Sequence, residues 1–330
     1  MTGLGTAEVA RQPVEQLVTA GAEIGQLRSG VGLLARYAPA RDVAPFDLAM
    51  QASVAALDDA GASAADIDLV LQVGRMRVDY FTWGLSLALA KELGRETVRC
   101  LDVTEFTGPS LIAGLRLLAA KFAVDDRVDT ALLVFPHRFS DVVDIRDAGD
   151  QWLWPISDGA GALVVHRGPG VGSSLGYAAA SAGTAGRAIG LRTEVVDDGP
   201  EPDGFFDHEW ALARYYFVRD PAGWPEAFRQ SAVTGLSRVI RAAVGRAGLD
   251  LADIVRVQTG FLYPGVADEL GRQLALGDRL RPYNDHGYLG GAELVYPLRE
   301  MIVDPSLRGR VVVQAGFSLP GGFSALVQQL

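Results

Sequence analysis

Cysteine is nearly missing from this 330-residue chain, which has Cys100 as its one thiol. A lone thiol closes no intrachain disulfide and builds no cysteine-based zinc site. Basic residues are also scarce, with 30 Lys and Arg against 40 Asp and Glu, for a formal charge of −10. Nucleic-acid affinity comes largely from cations that neutralise phosphates, so this balance argues against a nucleic-acid partner. It leaves room for a local basic patch that receives an acidic carrier or nucleotide. Long apolar runs are absent too, and no stretch approaches the ~18 apolar residues of a membrane span. The first residues carry Glu8 and Glu15 and lack the apolar core of a secretory signal. The expectation is a cytoplasmic protein with no membrane contact. No His-Glu-x-x-His or Gly-x-Ser-x-Gly motif is present, and neither a metal nor a cofactor is expected. Gly168-Pro169-Gly170 follows a predicted strand but opens no helix, so it reads as a turn and not as a dinucleotide loop.

What the chain does contain is one structural sentence written twice. Residues 46–74 read FDLAMQASVAALDDAGASAADIDLVLQVG, and residues 228–260 read FRQSAVTGLSRVIRAAVGRAGLDLADIVRVQTG. Each is an amphipathic Ala-rich helix, a Gly stop, an Ala-Asp-Ile turn and a short apolar strand. Gly61 answers Gly248, Asp66 answers Asp253, and Ile67 answers Ile254. A repeat this long and this widely spaced predicts two similar halves about a pseudo-twofold axis, not a solenoid. With 49% hydrophobic residues over 330 positions, the interior suffices for two fused halves.

The hydrophobic spacing predicts strands at 31–37, 67–73, 97–103, 130–135 and 160–165, with helices at 46–60, 83–94 and 110–122. The second half repeats the order, with helices at 226–247, 264–276 and 291–302 and strands at 254–258, 279–283, 310–315 and 323–328. Such alternation predicts largely parallel sheets with helices on their faces. The expected organisation is an extension over 1–30, one half over 31–170, an intervening segment over 171–225 and a second half over 226–330. The intervening segment has no counterpart in the repeat. Its aromatic residues, Phe205, Phe206, Trp210, Tyr215, Tyr216, Phe217 and Trp224, suit a pocket cap or a dimer surface.

Several stretches, in this order, resemble the thiolase superfamily, and most of all β-ketoacyl-acyl carrier protein synthase III and its relatives. They are Asp102-Val103 before a turn and an apolar helix, Arg138-Phe139-Ser140, Ser157-Asp158-Gly159-Ala160-Gly161-Ala162, and residues 284–297 and 316–322. The resemblance runs from about Val31 to the C-terminus. It implies an α/β thiolase-like fold, with pseudo-twofold-related halves in an α-β-α-β-α layering. It also implies activity on an acyl thioester carried by acyl carrier protein or coenzyme A. The partner state it implies is a homodimer, or a heterodimer with an active homologue.

The family uses a Cys at the start of the buried helix, a His after the strand of the second helix–strand unit and an Asn in a later turn. The resemblance places these at Thr107 (Gly108 if the turn is one residue shorter), at Thr259 or Gly260, and at Tyr288. None is retained. Cys100 lies inside the preceding strand, where it reads as a small core residue. The stretch that contributes to coenzyme A binding is missing as well, because Tyr37-Ala38-Pro39 runs almost directly into the 46–60 helix.

Four residues are candidates for the chemistry. Thr107 brings a hydroxyl that needs a general base, and Glu105 can be that base or can enolise a substrate directly. Both can equally be helix caps. Tyr288 can donate to an oxyanion. His286 can move protons near neutral pH or can be a turn histidine bonded to backbone. His137 reads as structural, and His166 and His208 as surface or loop residues. In a protease, losing the nucleophile alone costs about 10⁶ in turnover, so a full decarboxylating condensation is not expected. The function expected is a divergent acyl transfer, condensation or cyclisation in bacterial specialised metabolism, without a Cys acyl-enzyme. The alternative is a catalytically inactive partner subunit or scaffold.

Overall fold

A computed structural model describes residues 1–17, 24–32, 34–38, 43–74, 84–104, 109–139, 143, 148–168, 170–182, 189–195, 212–220, 222–318 and 321–330. The repeated sentence folds the same way twice. The helix Pro45–Ala60 ends at Gly61, where φ is 59°, and Ala62 N–H reaches back to Leu57 O. The helix Trp224–Arg246 ends just before Gly248, where φ is 70°, and Leu249 N–H reaches back to Val244 O. Glycine takes that left-handed conformation without a Cβ penalty, which stops both helices. In the turn that follows, an aspartate closes each loop. Asp66 accepts the Ser63 N–H at 2.8 Å, and Asp253 accepts the Asp250 N–H at 2.8 Å.

The strands that follow lie at the heart of two five-stranded sheets with one topology. The first runs Arg99–Val103, Leu69–Val73, Thr130–His137, Gly159–His166, Gly3–Thr6. The second runs Leu280–Arg281, Arg256–Thr259, Val311–Ser318, Gly322–Gln329, Ser173–Ser181. In each sheet the first three strands are parallel and the last two pair antiparallel.

Alternation along Thr130–His137 shows how the layers form. Leu132 and Val134 pack outward with Leu48, Ala52 and Leu89 of the outer helices. Ala131, Leu133 and Phe135 pack inward with Leu111, Ile112 and Leu118 of the helix Ser110–Val124 and with Leu298 of the helix Val295–Val303. That central cluster also takes Val312 and Leu326 from the second sheet. The helix Trp224–Arg246 covers the second sheet's other face through Leu236, Val239 and Ile240. This is the α-β-α-β-α, thiolase-like arrangement.

Three local expectations are corrected. Within the expected extension, read as weakly helical, Gly3–Thr6 is a strand that pairs with Gly161–Val164 as the edge of the first sheet. The predicted strand over 31–37 shortens to Ala35–Tyr37, preceded by a wide helical turn, Leu27–Val31, and it pairs with Arg11–Pro13 outside the main sheets. The segment 171–225 does have a counterpart in part. Ser173–Ser181 occupies in the second sheet the place that Gly3–Thr6 holds in the first. The strands Ile189–Val195 and Leu212–Val218 form a separate antiparallel pair. Phe205, Phe206, Trp210 and His208 lie outside the described residues. Among the described residues, no helix is long and apolar enough to cross a membrane.

Candidate functional site

Parallel strands of the first sheet end at Val73, Val103 and His137, and those of the second at Thr259, Arg281 and Ser318. Ligands of α/β sheets gather beyond such carboxyl ends. The ends at Val73, His137 and Thr259 meet around one short turn, Gly290–Ala292, and the Glu293 that follows it. Glycines make the meeting possible. A β-carbon on Gly291 would stand 3.5 Å from Ser110 Oγ and 3.4 Å from Pro136 O. One on Gly74 would stand 3.0 Å from Ser110 Oγ, and one on Gly316 would stand 2.8 Å from Pro109 Cγ. The start of the central helix is thereby pinned between the two halves.

Two titratable side chains fill the remaining space. The His137 ring lies against Gly290, where φ is 49° and a β-carbon would overlap the ring. His137 is 7% exposed and its Nε2 has no hydrogen-bond partner. Burial pushes its pKa down to about 3, so it is a neutral imidazole. Glu293 is 2% exposed, and its carboxyl occupies the volume that a side chain on Gly260 would need. Its Oε1 is buried and has no hydrogen-bond partner. Burial raises its pKa well above the ordinary carboxylate value, and the Phe261 N–H opposes this only in part.

Tyr288 joins this cluster. Its ring meets His137 edge-on at 6.0 Å and stacks on Phe317 at 5.8 Å. Its backbone bridges to the first half, with Ser157 N–H donating to Tyr288 O at 2.9 Å and Tyr288 N–H donating to Pro155 O at 2.7 Å. The aromatic wall continues from Phe317 through Phe228 to Tyr263 and Phe261.

Arg138 and Phe139 meet Asp158 of the stretch 157–162, and Ser140 lies outside the described residues. Asp158 is fully buried, accepts the Phe139 N–H at 2.7 Å and pairs with Arg138 at 3.4 Å. Arg138 Nε in turn donates to Val43 O at 2.7 Å. These residues hold the strand end that presents His137.

His286 goes elsewhere. It is sandwiched between Tyr37 at 4.5 Å and Tyr283 at 4.7 Å, both nearly parallel to it, and it touches Tyr296. It shares no ring neighbour with Tyr288 among the described residues. Partial burial lowers its pKa, with Glu300 and Asp285 opposing. Glu105 and Thr107 lie outside the described residues. Cys100 sits in the strand Arg99–Val103 and donates to Ser86 O at 3.5 Å; burial pushes its thiol up, the reverse of an activated nucleophile. His166 faces Thr130 at 2.6 Å.

Sequence reasoning missed Glu293 and read His137 as structural. One signal for Glu293 was present, since it is the single charge in the stretch GYLGGAELVYPL, residues 287–298. No group of three or more metal-ligating side chains is found among the described residues.

Comparison with known proteins follows the same lines. No family model matches the chain. It is 28% identical over 230 residues to β-ketoacyl-[acyl-carrier-protein] synthase III of Caulobacter vibrioides, covering 68% of this chain and 64% of that protein. The chain thus spans just under two thirds of that relative's length. With the enzyme of the same name from Microcystis aeruginosa, it is 24% identical over 331 residues, 96% of this chain and 93% of that one. Among solved structures, 3-oxoacyl-[acyl-carrier-protein] synthase III from Aquifex aeolicus aligns with a TM-score of 0.81 at 16% identity, over 100% of this chain and 99% of that one. The priming β-ketosynthase of the R1128 polyketide pathway aligns with a TM-score of 0.81 at 21% identity, over 100% and 95%. OleA of Xanthomonas campestris, solved with lauric acid and lauroyl-CoA, aligns with a TM-score of 0.81 at 16% identity, over 100% and 98%. These likenesses establish the fold, which is that of the synthase III structures.

Proposed function

We propose that the chain acts on an acyl thioester, delivered by acyl carrier protein or coenzyme A, by acyl transfer, condensation or cyclisation without a Cys acyl-enzyme. One observation carries this reading. Strand ends from both halves approach the turn before Glu293, where His137 packs on Gly290 and Tyr288 meets His137 edge-on, while the one thiol sits in an edge strand with its pKa raised. The names of the similar proteins support the substrate class. Glu105 and Thr107 stay the candidates for base and hydroxyl, from their position just before the central helix in sequence. Tyr288 is the candidate donor to an oxyanion, and His286 holds its turn through the Tyr37–Tyr283 stack. The halves are read as 31–170 and 226–330, with 171–225 between them. A homodimer fits the open strand Arg99–Val103, which among the described residues pairs on one side only.

A second reading is an inactive partner subunit or scaffold. What favours it is the filling of the centre, where the Glu293 carboxyl and the His137 ring occupy the space beside Gly260 and Gly290. The purified protein, incubated with a panel of acyl-carrier-protein and acyl-coenzyme A thioesters, separates the two by intact-protein and small-molecule mass spectrometry. Consumption of a thioester supports the enzyme, and an adduct on the peptide holding Thr107 identifies a hydroxyl nucleophile. An inert panel supports the scaffold.

A further inference from the structure

We propose that a hollow between the two sheets, at the end away from Gly290–Ala292, binds a small aliphatic carboxylate. Its hydrocarbon chain would lie on an apolar floor, with the carboxylate toward Arg116 and Gln328. The site is separate from the one proposed for the thioester and does not rest on that reading. Both sheets and the helices between them build it. Leu118 and Phe122 come from the helix Ser110–Val124, Leu163 and Val165 from the first sheet, Leu298 from the helix Val295–Val303 and Leu326 from the second sheet. The hollow has a volume of about 270 Å³. Val165 pairs with Ala131 and Gln328 with Val312, the second residues of the parallel strands Thr130–His137 and Val311–Ser318. A strand of eight residues, roughly 20–25 Å, thus separates the hollow from the carboxyl ends of the strands.

Gln328 follows Leu326 on the inner face of the strand Gly322–Gln329 and also lines the hollow. It is 4% exposed, its Oε1 has no partner, and neither end of its amide makes a hydrogen bond among the described residues. Gly172 lies over the amide, since a β-carbon there would stand 3.3 Å from Nε2, and it has no side chain to bond it. A buried amide without a partner is destabilising, and leucine would fill the place without that cost. The amide N–H groups beside an open volume are available to a ligand. The sequence Gly168-Pro169-Gly170-Val171-Gly172, a turn and not a dinucleotide loop, contributes Gly168, Gly170 and Val171 to the lining.

Arg116 supplies the charge. Its guanidinium lies over the Tyr177 ring, 5.1 Å from the centroid, and makes no ion pair among the described residues. Among the described residues no Asp or Glu lines the hollow, in a chain with 40 acids against 30 Lys and Arg. His166 faces the same space, with its Nδ1 engaged by Thr130 at 2.6 Å. An apolar floor with a guanidinium and an amide beside it fits an anion with a hydrocarbon tail. An apolar cavity of about 150 Å³ takes up benzene, so this one suits roughly ten non-hydrogen atoms. Octanoate has that size and that chemistry.

The test is isothermal titration calorimetry of the full chain with sodium octanoate, and with octan-1-ol as the uncharged control. Octanoate should bind at one site, and octan-1-ol about tenfold more weakly. Arg116→Gln, at an exposed position, should weaken octanoate about tenfold and leave octan-1-ol unchanged. Gln328→Leu should raise the urea midpoint, because the unpartnered amide is gone, and should weaken octanoate by a similar factor. Ala119→Trp brings an indole into the hollow from an exposed helix position and should abolish binding. Octanoate lodged in the thioester site instead would bind Ala119→Trp as it binds wild type, and that result overturns the proposal. Equal affinity for octanoate and octan-1-ol, undiminished binding by Arg116→Gln, or no binding at millimolar octanoate overturns it too. Should Ala119→Trp or Gln328→Leu fail to fold, the Arg116→Gln titrations decide.

Discussion

Gly260 and Glu293 share one volume: a β-carbon on the first would overlap the carboxyl of the second. Gly260→Ala must therefore displace the Glu293 carboxyl. Overpacking of this kind costs about 1–3 kcal/mol. Urea denaturation should show that loss in the wild-type background and a much smaller one with Glu293→Ala present, where the space has been vacated. Equal losses in both backgrounds would mean that the two residues do not compete.

His137 and Glu293 should give stability opposite slopes with pH. His137 has a folded pKa of about 3 against an ordinary 6.5, so the unfolded chain binds a proton the folded chain refuses. Its contribution is full above 6.5 and is lost as pH falls toward 3. Glu293 has a folded pKa raised above 4.5, so its contribution is full below 4.5 and is lost as pH rises through the folded value. Denaturant midpoints measured from pH 4 to 8 should become less acid-sensitive in His137→Leu. They should fall less toward high pH in Glu293→Gln. The reverse assignment of slopes would contradict the protonation states given above.

The first sheet leaves one edge open. Arg99–Val103 pairs with Leu69–Val73 alone among the described residues, and beside it Leu101 is 47% and Leu87 58% exposed. An open strand edge with apolar side chains is a template for a second chain. Light scattering after size exclusion should give a dimer for the wild type and a monomer for Leu101→Lys with an unchanged circular dichroism spectrum. A wild-type monomer at micromolar concentration would refute the dimer.

Legibility in the sequence followed locality. Gly61 with Asp66 and Gly248 with Asp253 encode their turns through nearby hydrogen bonds, so the repeat and the two halves could be read directly. Gly3–Thr6 could not, because GLGT has little strand character and its partners lie beyond residue 160. Ser173–Ser181 was hidden likewise, since its sheet place depends on pairing with Gly322–Gln329. Tyr288, singled out by resemblance, packs against His137 and Phe317. His286, two residues away, is turned aside where Gly287 takes a φ of 66°. A glutamate at a helix start reads as a surface cap, and only the packing of both halves around Gly290–Ala292 reveals Glu293 as buried.

Cys100 donates to Ser86 O, and its thiol is raised rather than activated. It is also the chain's one cysteine, so Cys100→Ser yields a protein with none. The most direct measurement is thioester consumption by that cysteine-free protein across acyl-coenzyme A and acyl-carrier-protein substrates. Consumption at the wild-type rate is the result expected of chemistry without a Cys acyl-enzyme. Loss of consumption on Cys100→Ser alone would make Cys100 the nucleophile, and no consumption by either protein would contradict the enzyme reading itself.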